Sequence, residues 1–485
     1  MAEAEPARGG PRTTALGPVA ESYDQLHRID LLARARAGGG VAPASYESLV
    51  RAVFQAAEVS LRNLSRLAER TRAGTLAGEL GDTARFSRWS IGFHRLLRHL
   101  GTALFDARSV FGQGDLAGTS EIGLAESAGY RAYVEAVRDL EQAVRTALLE
   151  RDQKAVRSTI ATRSIDDPLY SFLHDLRTGS HDATKWESDL SGVRVRKPVG
   201  QTLDEFTRAA LLAEAVAATE LHGATLHGEF VALHQIPELL CAEANDHLEA
   251  AVRALRAADL SRAVEHLAAC RALLVPVVEA QRVMAELLAT GEYHGFRENL
   301  GPASGTHSLA IKQHMFRDLF KCFWGDLESW LLSFHQGSLS DAVRSVDEGR
   351  HKDPELWLRH SVIDHAFRLH FVHQQWRHEH LHMPRNCLGS GGTKSMIGIP
   401  DGPQAVYKMR DAANAQRSLV AIHAARGVRL SNSVPDSPLN RLVAGPASVD
   451  AELMRLVGEA TREYFPDVQE QSYKPFHSGA AERKP

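Results

Sequence analysis

The chain has 485 residues, of which 24% are charged, and a net charge of -4. That balance gives no argument for a nucleic acid or a membrane surface as partner, and the sequence holds no run of 18 apolar residues to span a bilayer. The N-terminus lacks an apolar signal core and the four cysteines (Cys241, Cys270, Cys322, Cys387) are scattered, which fits a reduced, cytoplasmic setting.

The length suggests two domains. Ala, Leu, Arg and Glu are abundant and strand-like alternation is rare, so the chain reads as all-α. Residues 1–20, rich in Ala, Pro and Gly, predict a disordered tail. Residues 21–150 predict an N-terminal helical domain. Within it Leu49, Val53, Ala56, Val59 and Leu64 mark a helix from Ser45 to Leu67. A second helix covers about Thr83 to Phe105, the Gly112–Gly118 stretch breaks the pattern, and a third helix runs from about Ser127 to Arg151. Residues 151–204 are turn-rich and read as a connection, with Val193 to Val199 either a strand or an extended crossing segment. Thr202 and Glu205 have capping-box spacing, where helix resumes.

Phe230 and His234 stand four apart, on one helix face. A neutral imidazole can accept a hydrogen bond and a ring face can stack on an aromatic group; a partly buried polar residue is the plainer reading of His234. Asp259 to Ala289 carries a long stripe of Ala263, Leu267, Cys270, Leu273, Val277, Ala280 and Val283, with Pro276 expected to kink or split it. Tyr293 and Arg297 are again four apart. The planar fork of an arginine suits a carboxylate such as that of an amino acid, although most arginines are solvated. Phe316 to Phe334, with Trp324 and Trp330, reads as core or interface.

Phe54-Gln55-Ala-Ala-Glu58-Val59 can be laid on His234-Gln235-Ile-Pro-Glu238-Leu239, and Asp82-Thr-Ala-Arg85 on Asp259-Leu-Ser-Arg262. His94-Arg95-Leu-Leu97 then matches Cys270-Arg271-Ala-Leu273 after one inserted residue. Either the N-terminal domain is a degenerate copy of the later one, or amphipathic helices share these spacings by convergence. A degenerate copy with Phe54 in place of the histidine could not do the same chemistry.

From His360 to Gly398 the chain carries its densest signal. Val362, Ala366, Leu369, Val372, Trp376 and Met383 form an apolar helical stripe, and His380 occupies a place on it where Leu would be ordinary. A buried histidine needs a partner: a backbone carbonyl, a carboxylate or a metal. Gly389-Ser390-Gly391-Gly392 follows, a loop able to approach a ligand closely. His378-Glu379-His-Leu-His382 also satisfies H-E-x-x-H, the zinc-protease pattern. Against zinc, Pro384 is expected to end the helix, no further histidine motif continues the pattern, and the nearest downstream Glu is Glu452. The flanking His360, His365, His370, His373, His378 and His382 are assigned to surface or supporting roles.

Trp376-Arg377-x-x-His380-x-x-Met383 with its glycine loop, Phe296-Arg297 through Pro302-Ala-Ser-Gly305 to Ser308, and Phe230 through His234-Gln235 to Glu238-Leu239 stand in one order. Together they resemble the tryptophan 2,3-dioxygenase superfamily over roughly residues 205–460, leaving 461–485 as a C-terminal tail. The resemblance implies a helical bundle holding haem b, with His380 as axial ligand to the iron and Trp376, Gly391 and Gly392 bordering the cofactor. It implies that His234 faces the substrate's indole N–H, that Phe230 and Tyr293 line the ring pocket, that Arg297 holds the carboxylate and that Ser390 contacts the ammonium group. The implied reaction inserts O2 across the indole C2–C3 bond of L-tryptophan or a derivative, giving an N-formylkynurenine-type product. The family also implies a homo-oligomer, which would be smaller than the usual tetramer if one chain mimics a dimer. Leu240, Thr306, His307 and a short loop before Gly389 depart from the family pattern. These departures resemble the haem enzyme of pyrrolnitrin biosynthesis. Two alternatives therefore stand: monooxygenation or ring rearrangement of a modified aromatic amino acid in secondary metabolism, and a non-catalytic haem sensor.

Overall fold

The computed structural model describes residues 23–37, 41–79, 81–111, 119–157, 172, 195–198, 200–218, 227–288, 308–315, 318–388 and 416–427. The expected tails 1–20 and 461–485 and the break at Gly112–Gly118 lie outside them. The helices are α1 (Tyr23–His27), α2 (Ile29–Ala37), α3 (Tyr46–Ala77), α4 (Gly81–Phe111), α5 (Ala128–Arg157), α6 (Leu203–Thr207), α7 (Ala209–Ala218), α8 (His227–Arg256), α9 (Leu260–Leu287), α10 (Leu309–Met315), α11 (Asp318–Ser333), α12 (Leu339–Gly349), α13 (Pro354–Leu388) and α14 (Arg417–Ala425). Among the described residues, one antiparallel ribbon interrupts this all-α architecture: β1 (Thr119–Ile122) against β2 (Val195–Pro198), with Thr119 opposite Pro198. The extended piece near Val193 is therefore a strand.

Local chemistry sets the helix ends. Ser45 caps α3 by accepting from the Ser48 N–H at 3.1 Å, and Gly78 closes the helix in the left-handed region at φ 81°. The Thr202–Glu205 capping box forms: the Glu205 N–H donates to Thr202 Oγ1 at 3.1 Å and the Thr202 N–H to the Glu205 carboxylate at 2.7 Å. Neither of the two prolines splits or ends its helix. α9 passes through Pro276 as one helix, because its whole stripe from Ala263 to Val283 is sealed in the core. α13 does not stop at Pro384 but runs on to Leu388. The proline only removes the N–H that would have met the His380 carbonyl.

The 21–150 and 205–460 stretches share one apolar core. α3 packs on α4, α5 and α8, and α9 packs on α4, α8 and α13. A chain of charges crosses the bundle above this core. Arg95 of α4 meets Glu279 of α9 at 2.8 Å, Glu279 meets Arg282 at 2.9 Å, and Arg282 reaches Glu379 of α13 at 3.0 Å. The chain ends on the residue before His380 and so fixes how α13 is rolled against α9. Arg377, 2% exposed, ties the same helix to the end of α10 by donating to the Met315 carbonyl at 2.7 Å.

Candidate functional site

Two helices, α8 and α13, each set a histidine beside an aromatic ring. On α8, Phe230 and His234 lie one turn apart with ring centroids 4.4 Å from each other. The His234 ring bonds the Phe230 carbonyl through Nδ1 at 2.8 Å. A carbonyl only accepts, so Nδ1 carries the hydrogen and Nε2 keeps its lone pair. Burial lowers the His234 pKa to about 4, with the bond to Phe230 opposing. At neutral pH the ring is an uncharged acceptor. Pro237, within α8, strips the Leu233 carbonyl of its helical donor beside this ring.

On α13, the Trp376 and His380 rings stack with centroids 4.8 Å apart and planes 7° apart. Trp376 is sealed, whereas His380 is half-buried. Desolvation nevertheless lowers the His380 pKa to about 4, and the charge of His234 adds to the effect. His234 therefore lies near enough to act on His380 electrostatically. Among the described residues, the contact that orients His380 is the stack on Trp376 rather than a hydrogen bond.

The third contributor has no local signature in the sequence. α1 lies against α8 and brings Tyr23 and His27 to the site, both buried. The His27 ring stacks on His234 at 4.7 Å and 28°, and Tyr23 meets His234 edge-on at 6.2 Å. The Tyr23 hydroxyl donates to Glu238 at 3.4 Å, and Ser308 donates to the same carboxylate. Burial first, and then the negative Glu238, push the Tyr23 pKa well up, so the phenol keeps its proton. Burial also raises Glu238. Tyr23 and His27 are four apart, a spacing that puts them on one face. Nothing local says that this face meets a helix 200 residues away.

Tyr293, Arg297, Ser390, Gly391 and Gly392 lie outside the described residues. The zinc pattern gains no support: Glu379 is engaged by Arg282, and among the described residues no group of three or more His, Cys, Asp or Glu is arranged to hold a metal ion. Of the surface and supporting roles expected for the flanking histidines, the surface one is excluded for two of them. His370 and His373 are fully buried, together with His314 of α10. The Trp324 and Phe320 rings pack on them. The periodicity read them as flankers because polar residues were assigned outward. In α13 the buried face is wide enough to take in both.

A single iron-binding imidazole fits the donor chemistry present. His380 is neutral and fixed by an aromatic stack, and a second neutral imidazole, His234, lies near enough to lower its pKa. No helix among the described residues is long and apolar enough to cross a membrane. Comparison with protein-family models, with curated proteins and with solved structures finds no match to this chain.

Proposed function

We propose that this chain is a haem-dependent oxygenase of an aromatic amino acid, built as a tryptophan 2,3-dioxygenase-like helical bundle. One observation carries the reading: neutral His380, stacked on Trp376, lies within electrostatic reach of neutral His234, whose Nε2 lone pair is free. His380 would hold the iron of haem b, and Trp376 sets the plane of its ring. The haem, when bound, supplies the activation of O2.

The protein groups supply position and electrostatics. His234 accepts the indole N–H at Nε2, because Nδ1 is committed to the Phe230 carbonyl. Phe230 presents a ring face to the substrate's aromatic system. Tyr23 and His27 close the pocket on the α1 side, and the apolar walls exclude water. From the resemblance, Tyr293 lines the ring pocket, Arg297 binds the carboxylate, Ser390 meets the ammonium group and Gly391 and Gly392 border the cofactor. The product is of the N-formylkynurenine type, and the assembly is a homo-oligomer working in the cytoplasm.

A second reading has its own observation. His27 puts a second imidazole directly on His234, which makes the pocket more polar than a plain indole needs. Monooxygenation or rearrangement of a modified aromatic amino acid would use that polarity. Product mass separates the two: two added oxygens with ring opening, against one or none.

The test is the optical spectrum of the purified, haem-reconstituted protein, ferric and then dithionite-reduced, with and without L-tryptophan. A Soret band that is lost in His380→Ala and shifted by L-tryptophan is expected. A Soret band indifferent to L-tryptophan moves the substrate to a modified aromatic amino acid. Absence of any Soret band overturns the proposal.

A further inference from the structure

Two glutamines in different parts of the chain make the same pair of bonds. Gln55 of α3 donates through Nε2 to the carbonyls of Ala35 and Thr207, both at 3.0 Å. Gln235 of α8 donates through Nε2 to the carbonyls of Ala215 at 3.5 Å and His27 at 3.1 Å. Each position lies 180 residues from its counterpart: 55 and 235, 35 and 215, 27 and 207. The same spacing relates α1 to α6 and the starts of α2 and α7. Between those helices Arg28 and Arg208 both take the rare left-handed conformation, at φ 53° and 57°.

The contacts between the two sets are reciprocal, as an axis of twofold symmetry requires. Arg36 pairs with Asp246, and Arg66, the counterpart of Asp246, donates to the carbonyl of Val216, the counterpart of Arg36. Ser48 bonds Glu243, while their counterparts Gly228 and Asn63 lie against each other. Glu58 accepts from Ser127 and the Gly129 N–H, and Glu238 from Ser308 and the Ala310 N–H. Ser127 and Ser308 each then cap the residue three positions on. Convergent amphipathic helices share a hydrophobic period. They do not share a crosswise set of specific hydrogen bonds.

We propose that the chain is a dimer written into one polypeptide: two copies that exchange their first helices, one keeping a reaction centre and the other filled in. The second copy's pocket has Phe230 and His234 of its own, with Tyr23 and His27 delivered by the first copy. The counterpart pocket has Val50, Phe54, Leu203 and Thr207 in those four places. Phe54 there is 2% exposed. The stretch of the first copy that would correspond to α13, which carries His380, lies for the most part outside the described residues. His27 and Tyr23 are therefore specificity-determining residues donated across the axis, a role that rests on the His234–His380 interior being the ligand site.

Matched variants at counterpart positions test this in the full chain. Amide hydrogen exchange reads the helix exchange without any cofactor. Gln235→Ala is expected to speed exchange at least tenfold in α1 and α7, and Gln55→Ala in α6 and α2. If Gln235→Ala loosens α6 instead of α1, the exchange of first helices is refuted. Haem titration followed at the Soret band is expected to saturate at one per chain; two per chain refutes the filled site. In the haem-loaded protein, His27→Thr is expected to weaken the L-tryptophan-induced Soret shift at least tenfold and Thr207→His less than twofold. Equal effects refute the donated role of His27. If no haem is taken up, the single-centre reading falls together with the proposed function, and the crosswise exchange pattern still decides the architecture.

Discussion

Phe54 and His234 occupy the same place in two helices, each followed by a glutamine that ties down two other helices and, four residues on, by a buried glutamate. The frame is held by the glutamine and the glutamate, which are the same in both. The residue just before the glutamine is free to differ. One place holds a packed phenylalanine, and the other holds an imidazole with an unused lone pair. A bundle of this kind can lose a site without losing its fold, because the bonds that position the site are not the groups that would do the chemistry.

Acid should act on the two copies very differently, and this is the largest effect expected. His314, His370 and His373 are fully buried on the second-copy side. Burial lowers all three pKa values, that of His314 to about 3. In the unfolded chain each takes a proton near pH 6.5. Below that pH, and until the folded-state values are reached, the unfolded state binds more protons, so stability falls as pH falls. Each group contributes a slope of about 1.4 kcal/mol per pH unit, and the three together about 4. Glu58, Glu238 and Glu243, raised by burial, work in the opposite direction as pH falls through their raised values. Denaturant midpoints at pH 7 and pH 5, with hydrogen exchange to locate the loss, should show α10, α11 and α13 failing before α3 and α5. A uniform loss would mean that these histidines do not govern the acid response.

Truncating the matched pair should separate stability from binding. Phe54→Ala empties a sealed core position and is expected to cost about 3–5 kcal/mol, read by chemical denaturation, with the L-tryptophan response intact. His234→Ala should abolish that response at a much smaller cost. If both variants lose stability and neither alters binding, the polar pocket is ordinary core. A smaller effect is expected at Gly129, whose counterpart is Ala310. A Cβ on Gly129 would come within 2.6 Å of the Glu58 carboxylate. Gly129→Ala is therefore expected to cost about 1–3 kcal/mol, although the second copy accommodates alanine at its equivalent.

The local part of this architecture was legible in the sequence. Ser45, Thr202 and Asp259 sit at helix starts because capping depends on three or four neighbouring residues. The stripe through Val362, Ala366, Leu369 and Trp376 is buried as its spacing requires. His380 falls on that stripe, and the stack on Trp376 follows from the four-residue step. The remote part was not legible. Tyr23 and His27 meet α8 through a partnership across 200 residues, which helical periodicity does not encode. An end at Pro384 and a split at Pro276 follow from the rule for an exposed helix, whereas both helices are embedded in the bundle. The repeat was visible at Phe54–Glu58, but sequence alone could not separate it from convergence. The crosswise hydrogen bonds supply what the spacing lacked.

The smallest predicted effect bears most directly on the filled pocket. α6, the counterpart of α1, starts at Thr202, whose side chain accepts from the Glu205 N–H while Glu205 reaches back to the Thr202 N–H. Thr202→Ala leaves one of these bonds and is expected to cost about 1 kcal/mol. α6 presents Leu203 and Phe206 to the core, both nearly sealed, and its Thr207 carbonyl to Gln55. None of these groups faces His234 or His380. Loosening α6 should therefore lower the denaturation midpoint slightly and leave the L-tryptophan-induced Soret shift unchanged. A weakened shift would mean that α6 communicates with the reaction centre, and the two pockets would then be coupled rather than one living and one filled.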